Sequence, residues 1–347
     1  MAETRSVLRN TVRSIPGARR VYWSIHSVRQ RVYRFLRLPE LEANFPSYVW
    51  RMRERAQELA LGQADVLRKF SLEYITIGRN DDHTPNWLPK LESVIGYNRS
   101  LFASSGIDFR FAFVEWNPPP DRPLLAPYLV GKYPFARAIV VEPQVHDTFR
   151  EHNRLKIVIC LAWNVAIRTS EADFVLLSSA EDYLGRDVAR WLLRRGLRKG
   201  CLYRAMKVDI QKDFDFRHPD AKVLEARHNI VRVQHVTAPP YDHAPGDFLL
   251  MDRASMHLIR GFDEALLGAD TAIDSRFCAS AMALGLSCRL IGRVYHIDHE
   301  SSSDNSGARG NLTLKEALAN VPYKNPETWG LANRNWVKRG ERLSYVG

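Results

Sequence analysis

Three aspartates and two histidines in the last third of the chain have the types and spacing to do chemistry. Asp247 precedes an apolar run, and Asp270 and Asp274 stand just before a helical pattern. His296 and His299 follow a second apolar run. A carboxylate can accept the proton of an attacking hydroxyl, and carboxylates together with imidazoles can ligate a metal ion. These residues are therefore candidates for proton transfer and metal binding.

Each of these candidates also has a structural interpretation. Asp274 opens the helical pattern of residues 275–284, where it would cap the amino terminus. His296 and His299 are three residues apart, so both face one side only if their segment is helical. In an extended segment one histidine at most reaches the metal, and a single histidine is commonly a hydrogen-bonded structural residue.

A second acidic pair, Glu181 and Asp182, follows residues 173–179, which are predicted to form a strand. Adjacent side chains on a strand point to opposite faces, so one carboxylate of the pair would reach a given metal ion. We prefer Asp182 for that role. The alternative is an acid pair at the start of a helix, where it complements the helix dipole.

The elements that must position these residues are predicted strands alternating with helical patterns. The strands span residues 72–78, 107–116, 138–141 and 173–179. Their spacing is too long for hairpins, which predicts an α/β fold with a mostly parallel sheet and helices on both faces. Ligands of such sheets bind at the carboxyl ends of the strands.

Composition and length are those of a globular protein, with 347 residues, 45% hydrophobic and 26% charged. We divide the chain into a basic helical segment (1–70), a main domain (71–300) and a tail that packs on it (301–347). No stretch reaches the roughly 18 apolar residues needed to cross a bilayer. Because no signal-peptide pattern precedes the domain, we expect a cytoplasmic protein.

The formal net charge of +11 favours anionic partners. Residues 1–38 combine arginines with apolar residues at spacings of three and four, which predicts basic amphipathic helices. Such helices either lie on an anionic membrane surface, here the inner face, or pack on the main domain with their arginines in solvent. No nucleic-acid-binding motif accompanies the charge, so we expect no nucleic-acid partner.

Six segments, taken in order, make the chain resemble nucleotide-sugar glycosyltransferases of the GT-A type. The resemblance is closest to the family-two type and to the galactosyltransferase carboxyl-terminal module. The segments are residues 77–82, 114–119, 164–168, 246–251, 273–275 and 295–299. The resemblance implies a Rossmann-like GT-A fold, a UDP-sugar or other nucleotide-sugar donor, and a saccharide or lipid-linked acceptor in surface polysaccharide or glycan synthesis.

The resemblance also implies a set of donor-binding residues at the ends of the first strands. These residues are Gly78, Arg79, Asn80, Glu115, Arg122 and Asn164. Glu115 would accept a hydrogen bond from the base or ribose. Arg122 would pair with phosphate, for which the planar guanidinium is well shaped.

On the acceptor side, the resemblance implies Asp274 as the general base of an inverting transfer. Asp270 is the reserve for this role, and Asp247 contacts a sugar. The family binds Mn²⁺ or Mg²⁺ through Asp-x-Asp after the fourth strand, often with a late histidine. Glu181 and Asp182 depart from that spacing, which leaves metal dependence open. The departure also leaves open a catalytically silent protein that binds a saccharide or a partner.

Overall fold

The computed structural model describes residues 66–81, 85–149, 155–234, 248–268, 273–298 and 321–347. The helices predicted for residues 1–38 lie outside these ranges, as do Asp247, Asp270 and His299. Within the described ranges, no helix is both long and apolar enough to cross a bilayer.

Eleven strands of the described residues join in one sheet. They are β1 (Phe70–Gly78), β2 (Ile107–Trp116), β3 (Ala136–Val141), β4 (Phe174–Leu177), β5 (Asp182–Leu184), β6 (Cys201–Ile210), β7 (Ile230–Gln234), β8 (Leu249–Asp252), β9 (Ser287–Ile297), β10 (Trp336–Lys338) and β11 (Leu343–Val346).

Helices of the described residues cover both faces of this sheet. They are α1 (Trp87–Ser100), α2 (Leu125–Lys132), α3 (Pro143–Asp147), α4 (Ile159–Thr169), α5 (Arg186–Arg194), α6 (Ala221–Leu224), α7 (Arg253–Ile259) and α8 (Ile273–Ala283). Single 3₁₀ turns lie at Arg227–Asn229 and Glu264–Leu266.

The strand order is β10-β11-β3-β2-β1-β4-β8-β6-β9-β5, with β7 paired to β6. Strands β11, β3, β2, β1 and β4 are parallel to their neighbours in this series. Strand β8 is antiparallel to both β4 and β6, so β6 runs in the same direction as β4. The predicted α/β architecture, a mostly parallel sheet between helices, is confirmed.

The central strands form where the sequence has apolar runs bounded by polar turns. Strand β2 coincides with the predicted 107–116, and β1 extends the predicted 72–78 by two residues. Alternate side chains along these strands enter two cores, because successive residues point to opposite faces. One core lies against α1, α2 and α5, and the other against α4, α7 and α8.

The second half of β6 extends beyond the carboxyl end of β4. Arg204 of β6 is level with Leu249, and Leu249 with Leu177, the last residue of β4. The six remaining residues of β6 pair with β7 on one side and β9 on the other, and β9 pairs with β5. A four-stranded ribbon, β7-β6-β9-β5, thus rises from the carboxyl edge of the sheet.

The carboxyl-terminal tail contributes strands that the sequence pattern did not predict. Strand β11 pairs in parallel with β3, and β10 pairs with β11 as the outermost strand. The segment before them packs on α4 and α7 through Trp329, whose ring lies 5.1 Å from the Arg168 guanidinium and 5.4 Å from the His257 ring.

Candidate functional site

The predicted donor-binding residues Gly78 and Glu115 lie side by side, because they are register partners at the ends of β1 and β2. Gly78 has no room for a side chain. A Cβ atom there would lie 2.5 Å from the ring of Trp87, the first residue of α1. Glycine therefore allows the close approach of α1 to the end of β1.

The Glu115 carboxylate is fully buried and binds the amino terminus of α2. Its two oxygens accept the backbone N–H groups of Leu125 and Ala126 at 2.9 and 2.8 Å. Burial raises the pKa of Glu115, and these two hydrogen bonds offset part of that rise. The carboxylate thereby satisfies donors that the first turn of a helix leaves unpaired, and it fixes where the loop after β2 ends.

Basic and acidic side chains meet beyond the end of β1. The Arg79 Nε atom lies 3.4 Å from Asp81 Oδ2, and Lys156 Nζ lies 3.0 Å from the same oxygen. Arg79 Nη1 also donates to the carbonyl of Lys156 at 3.3 Å. The Lys156 side chain is 68% exposed. These three described side chains, two cations and one carboxylate, together carry a net positive charge, which suits a phosphate group.

Two asparagines connect the loops around this positive edge. Asn80 Nδ2 donates to the carbonyl of Pro123 at 2.9 Å, and Asn117 Nδ2 to that of Lys156 at 3.4 Å. Asn117 has a φ of 49°, a left-handed conformation that asparagine tolerates better than most residues. The exposed Arg122 lies on the loop that Asn80 anchors. Loops after β1 and β2 and before α4 thus form one surface.

Glu181 forms a buried ion pair instead of standing free beside the sheet. Its Oε1 atom lies 2.7 Å from Nζ of Lys90, on the first turns of α1, and the two side chains are 5% and 10% exposed. Removing either partner would leave an uncompensated charge in the interior. The pair joins the β4–β5 connection to α1.

The Asp182 carboxylate turns back onto its own connection. Its Oδ2 atom accepts the Ser179 N–H at 2.7 Å and the Ser178 hydroxyl at 3.0 Å. From the other side, Asn98 of α1 donates to the Asp182 carbonyl at 3.0 Å and accepts the Leu184 N–H at 2.9 Å. The acidic pair is therefore part of a tightly bonded turn.

A row of ionisable residues crosses the ribbon at one register position. Arg232, Asp209, His296 and Asp182 are successive partners on β7, β6, β9 and β5. Arg232 Nε donates to Asp209 Oδ2 at 2.5 Å, and His296 Nδ1 lies 3.4 Å from Asp209 Oδ1. Because β9 is extended, the histidine partner of this row is His296.

Opposing effects act on the central carboxylate of this row. Burial alone would raise the pKa of Asp209. The hydrogen bond from His296 and the charges of Lys207 and Arg232 outweigh burial, so the pKa of Asp209 lies well below its usual range. Asp209 is thus an anion that holds His296 and Arg232 in place.

The described residues do not form a binding site for the divalent metal that the resemblance implies. Within the described ranges, no three His, Cys, Asp or Glu side chains converge as metal ligands would. Glu181 is paired with Lys90, and Asp182 Oδ2 is bonded within its own turn. His296 faces Asp209. Mn²⁺ and Mg²⁺ need several convergent oxygen ligands, which this arrangement does not offer.

Asn164 binds a turn rather than facing the edge of the sheet. Its Oδ1 atom accepts the Phe262 N–H at 2.6 Å, and its Nδ2 donates to the Phe262 carbonyl at 2.8 Å and to Glu264 Oε1 at 2.9 Å. Asn164 is fully buried on α4. It connects α4 to the turn of residues 260–264, and Arg276 of α8 binds Asp263 of that turn at 2.6 Å.

Asp274 lies half-buried in the first turn of α8, on the same face as Cys278 four residues later. The thiol of Cys278 accepts a hydrogen bond from the buried Arg204 at 2.7 Å. Burial raises the pKa of Cys278 to about 11, with Arg204 lowering it and Asp274 raising it, so both charges lie close to the thiol. Since Arg204 is level with the end of β4, Asp274 lies close to the carboxyl edge.

Several residues of the site carried no local sequence signal. Lys90, Lys156 and Arg232 stand in helical, loop or strand patterns without a motif. A buried arginine or aspartate within an apolar strand pattern is the one signal that sequence offered. Arg204 and Asp209 both interrupt the pattern of β6 in this way.

Comparisons with known proteins find low similarity to solved structures. No family model matches the chain, and no curated protein matches it. A solved mannosyltransferase from Pyrobaculum calidifontis, in complex with GDP-Man and Mn²⁺, matches with a TM-score of 0.40 and 15% identity over 74% of this chain. The matched region spans 65% of the length of that mannosyltransferase.

Two further solved structures are similar at the same level. Glucosyl-3-phosphoglycerate synthase from Mycobacterium tuberculosis, with Mg²⁺ and UDP, has a TM-score of 0.32 and 12% identity over 74% of this chain and 79% of its own. The inositol-1-phosphate CTP transferase from T. maritima has a TM-score of 0.34 and 11% identity over 72% and 98%. The solved structures that the chain resembles thus include nucleotide-sugar glycosyltransferases, as expected, and at this level of similarity they assign no family and no residue role.

Replacing Gly261 by alanine tests the hydrogen bonds by which Asn164 fixes the turn of residues 260–264. Gly261 has a φ of 69°, and a Cβ atom there would lie 2.0 Å from Asn164 Oδ1. We expect Gly261→Ala to lower the free energy of unfolding by about 2–4 kcal/mol, measured by urea denaturation. Gly96 is the control, because it lies inside α1 with open space around it and Gly96→Ala should stabilise by about 0.5–1 kcal/mol. Equal unfolding free energies for the two variants would show that the hydrogen bonds from Asn164 to this turn do not stabilise the fold.

The row of Arg232, Asp209, His296 and Asp182 across the ribbon predicts how the free energy of unfolding depends on pH. Because the pKa of Asp209 is lowered by folding, its contribution is complete above the ordinary aspartate pKa and is lost as pH falls through the folded value. At neutral pH, Asp209→Asn should cost about 2–3 kcal/mol of unfolding free energy, the range for hydrogen bonds to charged groups. The difference in unfolding free energy between the wild type and Asp209→Asn should become smaller below about pH 4.

The control for this measurement is Asp213→Asn, since Asp213 is exposed. Urea denaturation across the same pH series should show this variant parallel to the wild type. If the difference in unfolding free energy between the wild type and Asp209→Asn stayed constant down to about pH 3, Asp209 would not be held as an anion by Arg232 and His296.

Proposed function

We propose that the protein transfers a sugar from a nucleotide-sugar donor, with UDP as the first nucleotide to test, to a saccharide or lipid-linked acceptor. The observation that carries this proposal is that a positive loop surface and a half-buried acid both lie at the carboxyl edge of the sheet. The positive surface is formed by Arg79 and Lys156 after β1 and before α4. The acid is Asp274 at the start of α8.

In the proposed reaction, the diphosphate of the donor lies against Arg79 and Lys156, and the nucleoside against the loops that Asn80 and Asn117 connect. Asp274 takes the proton of an acceptor hydroxyl as its oxygen attacks the anomeric carbon. The bond from that carbon to the phosphate oxygen breaks, and its electron pair leaves with the nucleoside diphosphate. Attack opposite to the leaving group inverts the anomeric carbon.

Basic side chains supply the stabilisation of the leaving group in this proposal. Charge grows on the diphosphate as the bond breaks, and fixed cations lower the energy of that state. Arg79 and Lys156 are held in place by Asp81 and by the Lys156 carbonyl. No step is routed through a metal, because Glu181 and Asp182, the carboxylates that the resemblance assigns to the metal, bond protein groups.

The runner-up is a catalytically silent transferase-like protein that binds a saccharide or a partner. The Lys90–Glu181 ion pair favours it, since this pair stands where the family places metal-binding carboxylates. The two functions share a nucleotide site and differ in turnover alone.

We also propose that residues 1–38 place the protein on the inner face of a membrane that builds surface polysaccharide. The nine arginines of residues 1–38 support attraction to anionic lipid. These residues lie outside the described ranges.

Calorimetric binding of UDP, GDP and uridine tests the donor site. We expect one diphosphate to bind with the same affinity in Mn²⁺ and in EDTA. Arg79→Gln should weaken that binding by about tenfold, the loss of one charge-assisted contact, while leaving uridine binding unchanged. Arg227→Gln is the control, because Arg227 is exposed on the 3₁₀ turn before β7. Binding that required Mn²⁺ would contradict a donor site that relies on Arg79 and Lys156 alone, and absence of nucleotide binding would refute the donor site.

Asp274→Asn separates the two functions. Removing a general base costs about 10²–10⁴ in turnover, so we expect a loss of that size in sugar release from the donor, with nucleotide affinity unchanged. Asp213→Asn, an exposed aspartate replaced in the same way, should keep full turnover. Turnover retained by Asp274→Asn would remove Asp274 from the base role. Wild-type protein that binds the nucleotide-sugar without turnover would establish the silent binder.

A further inference from the structure

A cavity of about 190 Å³ lies at the opposite edge of the sheet from the candidate donor site. It is lined by Val66, Trp191, Arg195, Gly196, Arg198, Tyr203 and Arg289. Val66 precedes β1, and the isolated bridge between Leu67 and Leu197 closes one side. Because these residues adjoin the amino ends of β1, β6 and β9, the cavity is separate from the carboxyl-edge site.

Three arginines around this cavity have no acidic partner. Arg195, Arg198 and Arg289 are exposed, and among the described residues none of them has a carboxylate within ion-pair distance. The outer face of α5 adds Arg190 and Arg194, also exposed and also without such a partner in that part of the chain. Like charges this close repel one another, so the arrangement favours an anionic ligand.

Hydrogen bonds hold the backbone that carries Arg195 and Arg198. The Arg195 N–H donates to the Trp191 carbonyl at 2.7 Å, and the Arg198 N–H donates to the Tyr203 hydroxyl at 2.7 Å. Leu197 exchanges two hydrogen bonds with Leu67, at 2.8 and 2.9 Å. Preorganised donors lose less entropy when a ligand binds than donors on a mobile loop.

Hydrogen-bond donors outnumber acceptors in the wall of the cavity. The indole N–H of Trp191 is buried and has no acceptor among the residues the structure describes. Each guanidinium presents five N–H donors and no acceptor. A ligand that fits this wall must supply several acceptor oxygens and negative charge.

We propose that this cavity binds a phosphate group. Phosphate oxygens match the paired N–H donors of a guanidinium, and arginine is the usual residue for such recognition. The same group is present in the headgroup of an anionic phospholipid and in free phosphate. Val66 and Leu193 are 37% and 41% exposed beside the arginines, as on surfaces that meet lipid headgroups. The site is independent of the proposed transfer reaction.

The test uses the full chain and a double variant, Arg195→Gln with Arg198→Gln. One arm measures sedimentation with vesicles of phosphatidylcholine containing phosphatidic acid, against phosphatidylcholine alone. The other arm follows tryptophan fluorescence with inorganic phosphate, against chloride at equal ionic strength. The control, Arg227→Gln with Lys222→Gln, removes the same charge from exposed positions elsewhere. The basic segment before residue 66 is identical in all three proteins.

We expect the cavity variant to lose about tenfold or more of the phosphate-dependent affinity, and the control to lose little. Loss in the vesicle arm alone would assign the site to a lipid headgroup. Loss with inorganic phosphate as well would assign it to a soluble phosphate. Equal losses in both variants would mean diffuse attraction and would overturn the proposal, as would absence of phosphate-dependent binding by the wild type.

Discussion

The reciprocal hydrogen bonds between Asn164 and the backbone of Phe262 are the constraint on which the rest of the site depends. The buried side-chain amide of Asn164 bonds both the N–H and the C=O group of Phe262. These two bonds fix the position of the turn of residues 260–264. Arg276 then attaches α8 to that turn through Asp263. The tail attaches to it through Asn325, which bonds the Arg260 and Phe262 carbonyls and the Glu264 N–H. The position of α8, and with it the position of Asp274, follows from an amide on a different helix. Such a network is strong because every buried polar group in it has a partner.

The carboxylates near the edge of the sheet show a second constraint, which is that buried charge is compensated within the protein. Glu181 has Lys90, Asp209 has Arg232 and His296, and Glu115 has the first N–H groups of α2. Each would otherwise be too costly to bury as an anion. The cations with surplus charge are the more exposed ones, such as Lys156. Recognition of a charged ligand therefore falls to the loops, while the buried charges keep the strands and helices beneath them in register.

Local pattern was sufficient for the central strands and for the α/β architecture. Strand β2 could be bounded to the residue because its apolar run is closed by the turn around Gly106 and by Asn117 with the prolines that follow. The roles of Asn164 and Glu115 could not be read in this way. Each depends on a partner that the fold brings close, and Asn164 bonds a residue 98 positions away. Strands β10 and β11 were missed for a similar reason, since three or four residues of mixed polarity become a strand through pairing with an existing edge.

The parallel pairing of β11 with β3 bears on how the molecule is assembled. Leu343 pairs with Ala138, so 205 residues separate the two strands in sequence. Strand β3 is mostly apolar, with the sequence Ala-Arg-Ala-Ile-Val-Val. The backbone N–H and C=O groups on its outer edge are unpaired until β11 pairs with them. An open edge of this kind is a template for association with other chains. During synthesis, this edge of β3 therefore stays open to association with other chains until residues 343–346 pair with it.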